Sequence, residues 1–517
     1  MSETANAMTL PTLAPGETSD VTLLLEGTYP YVHGGVSSWI HDIISGMPHL
    51  KFAAVFIGSR PSDYQKIKYV LPPNLVHVEA HYLEDAHAVP EPRSLAGNPA
   101  AAAMSGELHT MLRDVLMPLT MAVSPILAKL GTPGGITQEE FLYSRESWRQ
   151  IHTAYETHCT DPSFVNYFWT VRTMHAPIFL LAKLADRIPA TRAVHAVSTG
   201  YAGLLGAMLV ARRKVPYVLS EHGIYTKERR IDLAQATWIQ DPEGGLGLTE
   251  ESYVRHLWIR FFESLGRMTY LHADPIVALY EGNRDRQVAD GADPQRTQVI
   301  PNGIDLDTFL PLMEQRPKKT PKVVALIGRV VPIKDILGFT RAMRVVCSQD
   351  AAAEGWIVGP EDENPSYAEE CHRLVATLGL SDKVKFLGMR KTREILPQVG
   401  LTMLTSISEA LPLVLLESMA AGVPVVATDV GSCRELLEGR DDDDKALGKA
   451  GAVVTIANPE AAANAVLAIL RDEAVWTAMQ AAGRKRVVAY YDRKDMYARY
   501  RAIYDELLGG NRGRNRV

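Results

Sequence analysis

The sequence of residues 21–44 is VTLLLEGTYPYVHGGVSSWIHDII. It begins with the apolar run Val21 to Leu25, which is typical of a buried strand. A turn-rich segment with paired glycines follows, and apolar residues then recur at helical spacing from Val36 to Ile44. The stretch therefore predicts a strand, a glycine loop and a helix, which is the repeating unit of a parallel α/β sheet.

The same strand-then-helix pattern repeats along most of the chain. In the first half, further short apolar runs stand at 52–57, 193–197, 217–219 and 275–279. In the second half they stand at 323–327, 356–358, 384–387, 401–404 and 425–427. Between residues 84 and 187 the strand signals disappear and Ala, Met and Leu dominate, which indicates a helical insertion. We predict an α/β protein with two parallel-sheet domains.

Turn residues and composition set the predicted boundaries. The cluster Pro301-Asn302-Gly303 joins two apolar segments and marks the boundary between the domains. The predicted parts are a flexible tail at 1–19, a first domain at 20–300 with its insertion at 84–187, a second domain at 301–483 and a terminal amphipathic helix at 484–517. The acidic run Asp441 to Asp444 is predicted to be a solvated loop without a function.

Composition excludes several classes of protein. The chain has 54 Lys+Arg against 60 Asp+Glu, a net charge of −6, so no nucleic-acid partner is expected. Its four cysteines form no CxxC motif, which argues against disulfides and a metal site and favours a reducing cytoplasm. The first basic residue is Lys51, so the start lacks the charged region of a secretory signal. Residues 193–211 are uncharged, but their glycines favour a strand, loop and helix over a membrane span.

Glycines follow the first predicted strand. Two parallel sheets in tandem place a ligand cleft at the carboxyl ends of their strands, where helix N-termini point inward. Gly34 and Gly35 stand at such a position, and their backbone could approach an anionic ligand closely. A purely structural turn explains the two glycines equally well.

Two cations follow the strand predicted at 323–327. Arg329 offers a planar fork to phosphate oxygens, and Lys334 offers a mobile point charge. Together they could neutralise a leaving diphosphate without a metal ion. The alternative is that both are solvated surface charges.

Two carboxylates stand eight residues apart in the stretch SEALPLVLLESMAAG, residues 408–422. Pro412 suits the first turn of a helix, so Glu409 is predicted in the loop before the helix and Glu417 inside it. Burying an ionised carboxylate is costly, so Glu417 should meet ligand hydroxyls or a structural donor. An internal salt bridge for Glu417 and a helix-start role for Glu409 stay open as alternatives.

A histidine follows the strand predicted at 217–219. His222 could bond a substrate hydroxyl or stabilise developing positive charge, although a lone histidine is more often structural. The basic and aromatic residues after it could contact an acceptor, with a solvated loop as the favoured alternative: Tyr225, Lys227, Arg229 and Arg230.

Taken in order, these motifs resemble the retaining nucleotide-sugar glycosyltransferases of family 4. The stretches EGTYPYVHGGVSSW at 26–39 and EHGIY at 221–225 are similar, more closely, to the cytosolic glycosyltransferases of Pel exopolysaccharide synthesis. The resemblance implies a GT-B fold, in which two Rossmann-like domains face each other across a cleft and the terminal helix returns to the first domain.

The resemblance also assigns roles. Arg329 and Lys334 would hold the donor diphosphate, and Gly34 and Gly35 would approach its distal phosphate. Glu409 would contact the donor sugar, and Glu417 the ribose. His222 would lie beside the reacting sugar. The catalytic set would be His222, Arg329, Lys334 and Glu409; Leu387, in the stretch bordering the nucleobase, and Leu413 would join the substrate-binding set.

The implied reaction is transfer from a UDP-sugar to a polysaccharide acceptor with retention, and with neither a metal nor another cofactor. Implied partners are membrane proteins of Pel synthesis and export, which would place a cytoplasmic protein at the inner membrane. Two alternatives remain: a nucleotide-sugar epimerase or phosphorylase of the same architecture, and a nucleotide-sugar-binding scaffold of an export complex.

Overall fold

A computed structural model describes residues 10–87, 91, 93–114, 119–234, 236, 239 and 252–509. The chain divides into two compact units. The first unit comprises Met1–Val299 with Arg501–Val517, and the second unit comprises Ile300–Tyr500. Each unit is built on one parallel sheet.

The sheet of the first unit has seven strands in the order β3-β2-β1-β4-β5-β6-β7. Along the chain they are β1 (Thr18–Glu26), β2 (Phe52–Gly58), β3 (Leu75–Tyr82), β4 (Ala190–Ala196), β5 (Tyr217–Glu221), β6 (Ile276–Ala278) and β7 (Thr297–Val299). All pairs are parallel, with Leu24 of β1 opposite Val55 of β2 and Ala196 of β4. Every residue of β2 is buried, as expected for a strand covered by helices on both faces.

The sheet of the second unit has six strands in the order β10-β9-β8-β11-β12-β13. They are β8 (Val323–Ile327), β9 (Glu354–Val358), β10 (Val384–Gly388), β11 (Leu401–Leu404), β12 (Val425–Thr428) and β13 (Gly451–Val454). These pairs are also parallel.

Helices connect the strands in both units. Those of the first part of the chain are α1 (Gly35–Ser45), α2 (Pro99–Arg113), α3 (Val123–Lys129), α4 (Gln138–Tyr143), α5 (Arg145–His158), α6 (Phe164–Arg187), α7 (Tyr201–Arg213), α8 (Tyr225–Ala234), α9 (Tyr253–His272) and α10 (Glu281–Ala289). Those that follow are α11 (Leu306–Phe309), α12 (Ile336–Gln349), α13 (Pro365–Thr377), α14 (Thr392–Ile395), α15 (Leu413–Ala420), α16 (Cys433–Glu438), α17 (Asp442–Lys445), α18 (Pro459–Arg471), α19 (Glu473–Tyr490) and α20 (Arg493–Leu508).

The predicted strands are all present, but three others were missed. The missed strands are β3, β7 and β13, and each is an edge strand of its sheet. Edge strands have a neighbour on one side only, so they carry a weaker apolar signal than central strands. β3, for example, alternates apolar residues with His77, Glu79 and His81.

The region from 84 to 187 contains α2 to α6 and packs on α7 and α9 of the first unit. These helices share one apolar core with the sheet, in which Tyr167 and Met174 of α6 are fully buried beside Leu24 of β1.

Both ends of the chain differ from the predicted boundaries. Residues 1–9 of the predicted tail lie outside the described residues, and β1 already begins at Thr18. The predicted terminal helix at 484–517 is two elements, because α19 ends at Tyr490 and α20 begins at Arg493. In the first unit, Tyr504 of α20 is fully buried and its hydroxyl lies 2.7 Å from Nδ1 of His195 in β4.

The acidic run is not the solvated loop that was predicted. Asp442 to Lys445 form α17, and the side chain of Asp444 is fully buried. The Asp444 carboxylate accepts a hydrogen bond from Nε of Arg486 at 2.5 Å, and the Arg486 side chain is also fully buried. Arg486 donates further hydrogen bonds to the carbonyl groups of Leu437, Asp444 and Gly448. Charge alone could not separate Asp444 from its exposed neighbours.

Candidate functional site

Each sheet has one point at which the strand order reverses, between β1 and β4 in the first unit and between β8 and β11 in the second. Loops that leave the carboxyl ends of such strands diverge and leave room for a ligand. The predicted site residues follow these ends: Gly34, Gly35 and His222 in the first unit, and Arg329, Lys334 and Glu409 in the second.

An ion pair at the β8/β11 reversal joins Lys334 to Glu409. Lys334 Nζ donates to Glu409 Oε1 at 2.5 Å, and the two side chains are only 18% and 13% exposed. Ser406 Oγ donates to the same carboxylate oxygen at 2.6 Å. An ammonium group has three donors, so this ion pair leaves Lys334 able to bind further oxygen atoms.

The loops around this pair are bonded to each other. Thr405 Oγ1, just after β11, donates to the carbonyl oxygen of Lys334 at 2.9 Å. On the other side, Gly431 has a φ of +54°, and a Cβ there would lie 2.3 Å from the carbonyl oxygen of Glu409. Glycine is therefore required at 431 so that the two loops can approach. These contacts hold Glu409 in place before any ligand binds.

Arg329 has a partner of its own. Its Nη1 donates to both carboxylate oxygens of Glu363, at 2.5 and 2.6 Å, and both side chains are about half exposed. Exposed ion pairs of this kind contribute little to stability and exchange partners readily. In the structure each of the two cations pairs with a separate carboxylate, and the convergence of Arg329 and Lys334 on one ligand anion stays a prediction.

The two glutamates lie in the predicted elements. Glu409 is in the loop before α15, and Glu417 is in the second turn of that helix. Burial raises the pKa of Glu417 to about 7, although a hydrogen bond from Thr392 lowers it in part. Among the described residues Glu417 has no ion-pair partner, so the internal salt bridge is not found.

The two predicted leucine contacts differ in their surroundings. Leu413 is the first residue of α15 and is partly exposed. Leu387 lies in β10 and packs against an apolar cluster that includes Val358 and Leu396.

The paired glycines of the first unit stand at the start of α1. Gly34 has an extended backbone, and Gly35 begins the helix. A Cβ at either position would have no neighbouring atom within 4 Å. Internal packing therefore does not require glycine here, and the space in front of this helix start is open.

His222 lies after β5 and is 7% exposed. Its ring packs edge-on against Trp39 at a centroid distance of 4.5 Å. Burial lowers the pKa of His222 to about 4, so the imidazole is neutral at pH 7. Its Nε2 has no hydrogen-bond partner among the described residues, and His222 lines a cavity of about 450 Å³.

The same cavity contains a bonded cluster that joins Tyr225 and Arg229 to Glu26, a residue that sequence reasoning missed. Tyr225 donates from its hydroxyl group to Glu26 Oε1 at 2.7 Å, and Arg229 Nε donates to the Tyr225 oxygen at 3.0 Å. The predicted solvated loop at 225–230 is wrong, because these residues form the first turns of α8. Glu26 could have been noticed as a charged residue at the end of an otherwise apolar strand, directly before Gly27.

A second missed carboxylate, Glu221, is the last residue of β5. It accepts hydrogen bonds from the Tyr270 hydroxyl at 2.7 Å and from Gln287 Nε2 at 3.1 Å, and it is 1% exposed. Burial raises the pKa of Glu221 to about 7, although these hydrogen bonds lower it. Because protein groups donate hydrogen bonds to its carboxylate, Glu221 has a structural role and holds together the elements next to His222.

Two further features bear on cofactors and membranes. Within the described ranges, no group of three or more His, Cys, Asp or Glu side chains is placed to hold a metal ion. None of the helices in the described part of the chain is long and apolar enough to cross a membrane.

Comparison with known families divides the chain in the same way as the fold. Residues 19–295 match the family model described as a domain of unknown function, DUF3492. Residues 321–472 match the model described as glycosyl transferases group 1.

Curated relatives match part of the chain. One is the D-inositol 3-phosphate glycosyltransferase of Geodermatophilus obscurus, which is 32% identical over 34% of this chain and 44% of that protein. Another is the alpha-maltose-1-phosphate synthase of Mycolicibacterium smegmatis, 27% identical over 52% of this chain and 68% of that protein. The chain thus spans less than half the length of the first of these relatives.

Solved structures with the same fold cover nearly the whole chain. The HepE protein of Anabaena in complex with UDP and glucose has a TM-score of 0.55 at 15% identity, covering 94% of this chain and 99% of that one. The sucrose-phosphate synthase of Thermosynechococcus elongatus has a TM-score of 0.58 at 16% identity, covering 95% and 100%. The predicted GT-B fold with two Rossmann-like domains is therefore confirmed.

Proposed function

Since the chain belongs to the DUF3492 family and carries a group 1 glycosyltransferase domain, we propose that it transfers a sugar from a UDP-sugar donor to a growing polysaccharide, with retention at the anomeric carbon. The observation that carries this proposal is the Lys334–Glu409 ion pair at the β8/β11 reversal, held between two bonded loops. The pair combines a cation for a diphosphate with a carboxylate for sugar hydroxyls.

Different parts of the donor would bind to different residues, according to their charge. Lys334 and Arg329 bind the diphosphate oxygens, and Arg329 exchanges its exposed partner Glu363 for them. Glu409 accepts hydrogen bonds from hydroxyl groups of the donor sugar. Glu417 accepts hydrogen bonds from the ribose hydroxyls, which offset the cost of keeping its carboxylate partly buried.

The proposed reaction needs no protein nucleophile. The bond between the anomeric carbon and the diphosphate oxygen breaks, and the acceptor oxygen bonds to that carbon from the same face. The acceptor proton passes to the leaving phosphate oxygen. The two cations stabilise the negative charge that develops on the leaving UDP, and preorganised charges of this kind usually supply the largest part of such catalysis. His222 lines the acceptor-side cavity as a neutral imidazole and borders the reacting sugar.

The choice of uridine is supported by the HepE structures, which are complexes with UDP and with UDP-glucose. The assignment to Pel exopolysaccharide synthesis rests on the resemblance of residues 26–39 and 221–225 to the glycosyltransferase PelF. With this assignment we propose that the protein is cytoplasmic and docks on inner-membrane Pel proteins. From the resemblance to family 4 we propose that catalysis needs no metal ion.

A donor panel tests this proposal. The purified protein is heated with UDP-, GDP- and ADP-sugars, each with and without EDTA, and its melting temperature is recorded. We expect UDP-sugars alone to raise the melting temperature, with no effect of EDTA. Stabilisation by a non-uridine donor alone would refute the base assignment, and loss of the effect in EDTA would refute metal-independent binding.

A further inference from the structure

The cavity at the β1/β4 reversal lies wholly within the first unit, so its chemistry can be considered without the donor site. It is formed by the ends of β1, β2, β4 and β5 and by α8. Apolar or aromatic walls come from Val36, Tyr64 and Leu83, and polar groups come from Ser59, Ser198 and His222. Hydroxyl-binding groups beside an aromatic wall suit a sugar, whose rings have both polar edges and apolar faces.

Glu26 is the best-anchored polar group in this cavity. Its Oε1 accepts from the Tyr225 hydroxyl, and its Oε2 accepts from the backbone N–H of Ala202 at 3.3 Å, in the first turn of α7. Gly200 makes this arrangement possible, because a Cβ there would lie 2.6 Å from Glu26 Oε2. The carboxylate remains 12% exposed, and each of its oxygens can accept more than one hydrogen bond. A ligand hydroxyl can therefore still bind to it.

The charges that line the cavity do not favour an anion. Two carboxylates line it, Glu26 and Glu228, against one cation, Arg229. That cation is already shared, with its guanidinium 3.9 Å from Glu26 and 3.4 Å from Asp232.

The titration of Glu228 agrees with this count. Desolvation and then the carboxylate of Asp232 raise the pKa of Glu228. A raised carboxyl pKa means that the surroundings resist added negative charge. The neutral His222 supplies no compensating positive charge at pH 7.

We propose that this cavity binds the acceptor, that the acceptor end is an uncharged, hydroxyl-rich saccharide, and that Glu26 accepts a hydrogen bond from one of its hydroxyl groups. The cavity then rejects phosphorylated and other anionic sugars, because they would meet Glu26 and Glu228 without a free cation. That the bound saccharide is the acceptor of sugar transfer rests on the proposed function. The selectivity against anionic sugars is a property of the first unit alone.

Matched pairs of sugars test the selectivity directly. Ligand-detected NMR titrations of the full chain, with saturating UDP, would compare glucose with glucose 6-phosphate, galactose with galactose 6-phosphate, and N-acetylglucosamine with its 6-phosphate. We expect each neutral sugar to bind about tenfold more tightly than its phosphorylated partner, because the lining has a net negative charge and its one cation, Arg229, is already paired with carboxylates. UDP binding is measured separately by calorimetry.

Two variants assign the effect to residues. In the double variant Glu26→Gln/Glu228→Gln the neutral-to-phosphorylated ratio should fall to about threefold or less, because the repulsion is removed while the shapes are kept. Glu228→Gln alone gives an intermediate ratio and covers the case in which Glu26→Gln fails to fold. Glu281→Gln, at an exposed position of α10 outside the cavity, should leave the ratio unchanged.

Each result has one meaning. Equal or tighter binding of the phosphorylated sugars, or an unchanged ratio in the variants, would overturn the inference. If UDP binds but neither member of any pair binds, the cavity assignment fails while the proposed function stands. If the neutral sugars bind selectively but UDP does not bind, the proposed function fails while the cavity assignment stands.

Discussion

The buried ion pair between Asp444 and Arg486 gives a sharp test of the second unit. Asp444→Ala removes the only carboxylate that contacts the fully buried Arg486 guanidinium within the described residues and leaves it bonded to carbonyl groups alone. Removing one partner of a buried ion pair typically destabilises a protein by about 3–5 kcal/mol, because the remaining charge is buried without compensation. We therefore expect the free energy of unfolding of the second unit to fall by about this amount.

The chain supplies its own matched control. Asp442 belongs to the same acidic run and the same helix, α17, but its side chain is exposed. Asp442→Ala should change the free energy of unfolding by no more than about 0.5 kcal/mol.

Native-state hydrogen exchange can assign the effect to one unit. The amide groups of β12, a central strand of the second sheet, exchange through opening of that unit. Asp444→Ala should speed their exchange roughly 10²- to 5 × 10³-fold, while the amides of β1 in the first unit stay unchanged. If the Asp444 and Asp442 variants exchange at the same rate, the pair does not contribute the expected stability and the argument from burial is refuted.

Three further predictions concern the site. Lys334→Ala and Glu409→Ala should each abolish sugar transfer in a UDP-release assay, while circular dichroism shows that the fold is retained. Near-normal turnover of both variants would contradict the site assignment. Lys449→Ala, at an exposed position, is the control. Glu417→Ala should weaken UDP binding by about 10- to 100-fold in calorimetry, as expected for lost hydrogen bonds to a charged group, and unchanged affinity would make Glu417 structural. Since burial raises the pKa of Glu221 from 4.5 to about 7, the folded first unit binds this proton more tightly than the unfolded chain does; the contribution of Glu221 to the stability of this unit should be greatest below about pH 4.5 and be lost as the pH rises through 7. Melting curves of Glu221→Gln should lack this loss between about pH 5 and 8, whereas an unchanged pH dependence would show that another group is responsible.

The central strands and the placement of the two glutamates followed from local sequence. A buried strand such as β2 is apolar throughout, and Pro412 marks the helix start that separates Glu409 from Glu417. These signals lie within a few residues of each other, so no knowledge of tertiary structure is needed to read them.

The missed features depend on residues far apart in the chain. Glu26 acquires its role from Tyr225, which lies 199 positions away, and Asp444 is buried by Arg486, 42 positions away. Nothing local distinguishes Asp444 from Asp441 to Asp443. Charge patterning describes these residues before folding, and only the packed structure shows which of them is removed from water.

The α20 helix has a consequence for how the protein is made. Its residues from Arg501 onward belong to the first unit, where Tyr504 bonds to His195 and packs edge-on against Phe52 of β2. A ribosome must therefore synthesise all of residues 300–500 before this part of the first unit can be completed. At about 5–20 residues per second this delay lasts roughly 10–40 s, during which the apolar side chains that α20 covers are exposed to chaperones and to other nascent chains.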